Sequence, residues 1–128
     1  GHLVHSEKTN WPDRVRMIQE HGTATTFAPF DRFAMYRDSV GKSLDQLLNE
    51  FETLRQTNMQ WVRSLKLSDQ DLDKKGTHPQ FGEVSLRQLL SAMVVHDLSH
   101  IGQVVRVMSK QYKEEVGPWA EFFRLLKS

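Results

Sequence analysis

Residues 94–108 of the chain, VVHDLSHIGQVVRVM, place His96 and His100 four positions apart in an apolar stretch. In a helix this spacing puts both side chains on one face, with Cβ atoms about 5 to 6 Å apart. A helix beginning near residue 85 has a stripe that comprises Leu89, Met93, His96, His100, Val104 and Val107. The pattern therefore predicts two imidazoles that point into a helical core.

Two explanations account for buried imidazoles at this spacing. An unsatisfied buried polar group costs about 1 to 3 kcal/mol, so each ring needs partners. One cation at about 2.0 to 2.1 Å could bind both rings, and a zinc site of this kind would need a third ligand from another helix. His2, His5 and Glu7 near the beginning of the chain are candidates. Alternatively, each ring hydrogen-bonds a helix carbonyl or a polar side chain such as Asn58.

Composition limits the function classes. A chain of 128 residues suits one domain, 1–128, and 17 Lys plus Arg against 16 Asp plus Glu give a net charge of +1. That charge gives no strong field for nucleic acid or anionic membrane. Cysteine is absent, which leaves histidine and carboxylate as metal ligands. No apolar run reaches the roughly 18 to 20 residues that cross a bilayer, and no signal peptide is recognisable. We expect a cytoplasmic protein.

Helical patterns occur in four parts of the chain, and no strand pattern competes with them. Ser43 with Gln46, and Ser85 with Gln88, are spaced as capping boxes that begin helices. The predicted helices cover about 2–20 (with a kink or a new start at Pro12), 44–65, 85–112 and 119–127. The short closing helix is expected to cover one end of the core with Trp119, Phe122, Phe123 and Leu126. The prediction is an all-α bundle with antiparallel neighbours.

The connections between the helices differ in character. Residues 23–41 contain Phe27, Phe30 and Phe33, which predict an ordered loop packed down by its own rings. Residues 67–84 are polar and predict a second connection. His21 and His78 fall in apparent turns, where we expect solvated or loop-bonded histidines.

Six segments that follow one another along the chain resemble the DinB-like family of metal-dependent enzymes. They are HLVHSE (2–7), FAPFDR (27–32), LRQTNMQWVRSL (54–65), THPQFGEVSLRQLL (77–90), HDLSHIGQ (96–103) and VGPW (116–119). The resemblance implies a four-helix bundle in which three histidines hold a divalent metal ion, nickel or zinc. Its histidine positions fall on His2 in the first segment and on His96 and His100 in the fifth.

The resemblance also implies a class of reaction. Relatives with known activity include transferases and isomerases that use low-molecular-weight thiols. We therefore expect a transferase or hydrolase acting on a small molecule, with Glu7 as the candidate general base if water is activated. A non-catalytic bundle that binds a small ligand or a protein, with structural histidines, is the alternative. Neither the substrate nor the choice of metal follows from the sequence.

The beginning of the sequence differs from the family pattern. Relatives have a helix and a connection before the first histidine motif, which here starts the chain. The prediction is a shortened bundle of three long helices plus a short C-terminal helix, whose open apolar side a partner chain would cover in a homodimer. Gly1 and His2 also match the remnant of a cleaved purification tag, so His5 is the reserve candidate for His2.

Overall fold

The computed structural model describes residues 1–127, which are mostly helical. Three of the helices are long, which confirms the predicted all-α class. The elements are α1 (His2–His5), a π-helical turn (Ser6–Asn10), α2 (Trp11–His21), α3 (Ala34–Asp38), α4 (Leu44–Ser64), α5 (Asp69–Leu72), β1 (Lys75–His78), β2 (Gly82–Ser85), α6 (Leu86–Lys110) and two 3₁₀ turns (Gly117–Phe122 and Arg124–Leu126).

The chain divides into two compact units, Gly1–Leu90 and a second that begins at Ser91. Helix α6 begins in the first unit and continues in the second. The single domain expected for residues 1–128 stays a prediction. None of the helices within residues 1–127 combines the length and the apolar character that crossing a membrane requires.

The first helical stretch, which comprises α1, the π-helical turn and α2, changes its hydrogen-bonding pattern before Pro12. Proline has no backbone N–H and its ring clashes with the carbonyl four residues earlier. The π-helical turn ends at Asn10, and Pro12 then lies in the first turn of α2, where a missing N–H is tolerated. The new start predicted at Pro12 is therefore confirmed. Gly22 ends α2 with a positive φ of 56°, a conformation that glycine adopts without a steric penalty.

Both predicted capping boxes form. Ser43 Oγ accepts from the Gln46 backbone N–H at 3.2 Å, and Gln46 Oε1 accepts from the Ser43 N–H at 2.8 Å. Ser85 and Gln88 make the same pair of bonds, in the same order, at 3.1 and 2.8 Å. These reciprocal bonds satisfy amides that the first turn of a helix leaves free. They explain why α4 and α6 begin where the sequence predicted.

The polar connection predicted at 67–84 contains structure that the sequence analysis did not predict. Besides α5, it holds an antiparallel hairpin in which Lys75 pairs with Ser85 and His78 with Gly82. His78 closes the turn, because its Nδ1 accepts from the backbone N–H groups of Gln80 at 3.1 Å and Phe81 at 3.3 Å. Burial, and after it the charge of Arg14, lowers the pKa of His78, which favours the neutral ring that this acceptor requires.

The hydrophobic core of the first unit lies between the first helical stretch, the loop after it and the start of α6. Its buried apolar side chains are Val4, Trp11, Val15, Ile18, Phe27, Ala34, Leu86 and Leu89. The backbone N–H of Phe27 donates to the Thr77 carbonyl at 2.9 Å, which ties the loop to β1. Phe27 thus packs inward as predicted. Phe33, just before α3, is 70% exposed and stacks on Tyr36 within α3.

Several predictions for the second unit are wrong. The closing segment forms 3₁₀ turns instead of an α-helix, and its Trp119 and Phe122 are 66% and 76% exposed instead of covering a core. The predicted buried stripe of α6 is buried at Leu89, but Val104 and Val107 are 57% and 61% exposed. Within this unit an apolar pocket of about 210 Å³ is lined by Ser109, Tyr112, Val116, Phe123, Leu125 and Leu126.

Gly76 in β1 is packed too tightly for a larger side chain. A Cβ at this position would lie 2.7 Å from Ile18 Cγ1 and 2.8 Å from Phe27 Cζ. We expect Gly76→Ala to lower the free energy of unfolding by about 1 to 3 kcal/mol, the usual range for overpacking. Gly102→Ala is the control, because within residues 1–127 no atom other than those of its chain neighbours and its own helix backbone lies within 4 Å of its Cβ position, and alanine favours a helix by about 0.5 to 1 kcal/mol. A free energy of unfolding in urea that is equal to or higher than the wild-type value for Gly76→Ala would contradict this packing.

Candidate metal centre

Helix α6 brings two imidazole nitrogens together. The Nε2 atoms of His96 and His100 lie 3.2 Å apart, with ring centroids at 4.5 Å and planes at 74°. Two nitrogens bound to one tetrahedral ion at 2.0 to 2.1 Å would lie about 3.3 to 3.4 Å apart. Both side chains are half-buried. The pair therefore has the spacing of two ligands to one metal ion.

A third histidine completes a candidate ligand set. Among residues 1–127, His2, His96 and His100 form a group in which each offers one ring nitrogen and these atoms lie within 4.8 Å of one another. Three imidazoles meet the minimum number of protein ligands for a catalytic zinc-type site, which keeps a further position open. This group could hold a metal ion, and its members are the three histidines predicted from the sequence.

His5, the reserve candidate for His2, does not belong to this group. Its Nδ1 lies 3.4 Å from Asp38 Oδ2 of α3 without hydrogen-bond geometry, and its Nε2 lies 3.4 Å from Thr9 Oγ1. The ring of Phe30 contacts both first-stretch histidines, with centroid distances of 5.3 Å to His2 and 5.1 Å to His5. Phe30, in the segment FAPFDR (27–32) that resembles the DinB-like family, thus contacts the candidate ligand His2.

The outer ring nitrogens of the α6 pair have different neighbours. His100 Nδ1 lies 2.8 Å from Gln103 Oε1, one turn further along the helix. His96 Nδ1 lies 3.9 Å from Asp97 Oδ1, which is beyond hydrogen-bond distance. The sequence analysis did not identify Gln103 as a neighbour of His100. The i, i+3 spacing from His100 to Gln103 was the available signal.

Glu7 is held by partners on α4. Its side chain is 1% exposed, Oε1 accepts from Arg55 Nη2 at 2.9 Å, and Oε2 accepts from Asn58 Nδ2 at 3.0 Å. Asn58 Nδ2 also donates to the Glu7 backbone carbonyl at 2.8 Å, within the π-helical turn. Both carboxylate oxygens already accept a hydrogen bond, and the general-base role expected for Glu7 stays a prediction. The cluster instead fastens the first helical stretch to α4.

The two histidines predicted in turns lie outside this group. His21 has a side chain that is 54% exposed at the end of α2, with Nε2 3.8 Å from Glu20 Oε2. His78 bonds to the backbone of its own hairpin. These positions agree with the solvated and loop-bonded states expected for them.

Family comparison agrees with this geometry. A sequence model described as the DinB superfamily matches residues 1–104. The chain belongs to the DinB superfamily. The matched range contains the three candidate ligands and Gln103, and ends within α6. No curated protein matches the chain.

In this DinB-superfamily chain, the sequence analysis named Asn58 only as a possible partner of the histidines of α6. The structure gives Asn58 another role, because its amide reaches 51 positions back to a buried carboxylate. Sequence spacing gives no signal for a contact of that separation. The two side-chain hydrogen bonds of Asn58 both go to Glu7 and not to a histidine of α6, contrary to that alternative.

The buried pairing predicts a large effect of Asn58→Leu. This substitution leaves a carboxylate oxygen and a backbone carbonyl of Glu7 without their donor, and hydrogen bonds to charged groups contribute about 1.5 to 3 kcal/mol. We expect the free energy of unfolding in urea to fall by about 2 to 3 kcal/mol. Gln56→Leu on the same helix is the matched control, because its amide bonds the exposed Glu52 and should change stability by less than about 0.5 kcal/mol. Equal effects of the two substitutions would contradict the role given to Asn58.

Proposed function

We propose that this chain is a metal-dependent enzyme that transfers a group to or from a small molecule, with a low-molecular-weight thiol as the substrate class. Nickel or zinc would be held by His2, His96 and His100. The observation that supports this proposal is the convergence of three imidazole nitrogens, two of them 3.2 Å apart and all three within 4.8 Å.

Hydrogen bonding alone is a poorer explanation for the α6 pair. Only one proton can lie between two facing Nε2 atoms, so a hydrogen bond there requires one ring to donate and the other to accept. A metal ion binds the lone pairs of several neutral rings at once. Imidazole ligands suit zinc and nickel, and a chain without cysteine offers no thiolate to compete for them.

The ligand set determines what a bound ion would contribute. Three neutral imidazoles leave a divalent ion its full charge and open positions, so it would act as a Lewis acid toward a thiol or water. The residues of the chain hold the rings and orient them. Activation of water would also need a general base within reach, and the carboxylate of Glu7 is already paired with Arg55 and Asn58. Transfer involving a thiol therefore fits these residues better than hydrolysis does.

The homodimer expected from the sequence stays a prediction. Helix α6 exposes large apolar side chains, including Val94, Leu98, Ile101 and Met108, each between 57% and 60% exposed. Contiguous apolar surface of this kind is typical of interaction sites. A contact between two copies of the chain would give these side chains a partner.

The metal proposal predicts the effects of single histidine substitutions. We expect the wild type to bind about one equivalent of zinc or nickel, and His96→Ala or His100→Ala to weaken binding by more than about 100-fold, because loss of a ligand exceeds the 10 to 100-fold effect of an outer contact. His2→Ala should behave in the same way. His5→Ala and His21→Ala are the controls, because neither side chain belongs to the three-histidine group. Metal content after loading and dialysis, with competition titration, measures these differences.

Loss of binding in His5→Ala but not in His2→Ala would move the third ligand to His5. Wild-type protein that retains no transition metal would overturn the proposed function.

The thiol substrate class has a separate spectroscopic test. Protein loaded with cobalt in place of zinc should develop a thiolate-to-metal charge-transfer absorption band when glutathione is added, because a thiol bound to a divalent ion loses its proton. Glutathione carrying an S-methyl group is the control ligand, since it has no proton to lose. A cobalt spectrum that does not respond to the free thiol would contradict thiol binding at the metal.

A further inference from the structure

Gln103 is the neighbour of His100 on the side of the ring that faces away from His96. Gln103 Oε1 lies 2.8 Å from His100 Nδ1, and the Nε2 atom of the same ring lies 3.2 Å from His96 Nε2. The three side chains therefore form a chain along one helix. Gln103 occupies an exposed position, so its side chain is not required to fill a core.

The amide oxygen determines which ring nitrogen carries the proton. A carbonyl oxygen can only accept a hydrogen bond, so the Nδ1 of His100 must be the donor. In a neutral imidazole with a proton on Nδ1, the lone pair is on Nε2. That is the atom that faces His96 and belongs to the converging group. The hydrogen bond thus keeps the proton off the inner nitrogen, whose lone pair can accept from His96 Nε2 or bind a cation.

We propose that Gln103 is the positioning residue of the metal centre, which fixes the tautomer and the orientation of the His100 ring. The inference rests on the proposed function, since it assigns Gln103 a part in metal binding. Ligating histidines generally donate their outer N–H to an acceptor that orients them, and loss of that acceptor weakens metal binding by about 10 to 100-fold. The corresponding distance on His96, from Nδ1 to Asp97 Oδ1, is 3.9 Å.

The opposite orientation of the amide makes a different prediction. If the NH₂ group of Gln103 pointed to His100, it would donate to Nδ1, and the proton of the ring would be on Nε2. That nitrogen would then be unable to bind a metal without a change of tautomer. The tautomer of His100 in the metal-free protein therefore distinguishes a positioning role from an incidental surface contact.

The test compares Gln103→Leu, which removes the acceptor, with Gln103→Glu, which keeps an acceptor oxygen at the same reach. Gln60→Leu, at an exposed position of α4, is the control for replacing a surface glutamine by leucine. Two measurements are made on each protein. Nitrogen-15 shifts of the imidazoles, assigned with the His100→Ala protein, report the tautomer without metal, and competition titration reports zinc affinity.

We expect wild type, Gln103→Glu and Gln60→Leu to keep the proton of His100 on Nδ1. Gln103→Leu should shift the population toward Nε2–H and weaken zinc binding by about 10 to 100-fold, with an unchanged melting temperature. Wild-type His100 with its proton on Nε2, or equal zinc affinity in wild type and Gln103→Leu, would overturn the inference. If the wild type bound no zinc, the proposed function would fail, and the assignment of Gln103 to a metal centre would fail with it. The metal-free tautomers would still show whether Gln103 orients the ring.

Discussion

The buried carboxylate of Glu7 places a strong constraint on the first unit. An ionised carboxylate with 1% exposure is strongly destabilising unless charged and hydrogen-bonding partners surround it. Arg55 and Asn58 supply these partners from α4. Asn58 also donates a hydrogen bond to the backbone carbonyl of Glu7 in the π-helical turn. π-Helical turns are frequent at functional sites. The pairing therefore connects the helical stretch that carries His2 to α4, which lies wholly within the first unit.

The polar atoms of the half-buried histidines in the candidate centre also need partners. Three neutral imidazoles can share one cation, whereas hydrogen bonds among them depend on the choice of tautomers. The contact between Gln103 and His100 selects one tautomer, and Phe30 contacts the ring of His2. His100 and His2 thus each have an identified neighbour that restricts the ring. Glu7 thus holds two helical segments together, whereas the three histidines form the proposed metal centre.

Features that depend on local sequence were predictable. The two capping boxes involve residues three positions apart, and the histidine pair depends on helical spacing alone. The third candidate ligand, His2, was predicted from family resemblance, because no spacing relates it to α6. The hairpin was missed because its strands of four residues contain glycine, lysine and glutamate, and its packing relies on the distant Phe27. The partners of Glu7 are 48 and 51 positions away, so no local pattern could identify them.

Anomalous X-ray scattering from a crystal grown with zinc or nickel tests the central claim most directly. Data on both sides of the absorption edge of the metal locate the ion and identify its ligands in one experiment. The account predicts one strong anomalous peak bonded to ring nitrogens of His2, His96 and His100, with the Nδ1 of His100 still hydrogen-bonded to Gln103. Metal-free rings that turn apart and bond only main-chain oxygens or solvent, in a crystal soaked with either ion, would contradict it.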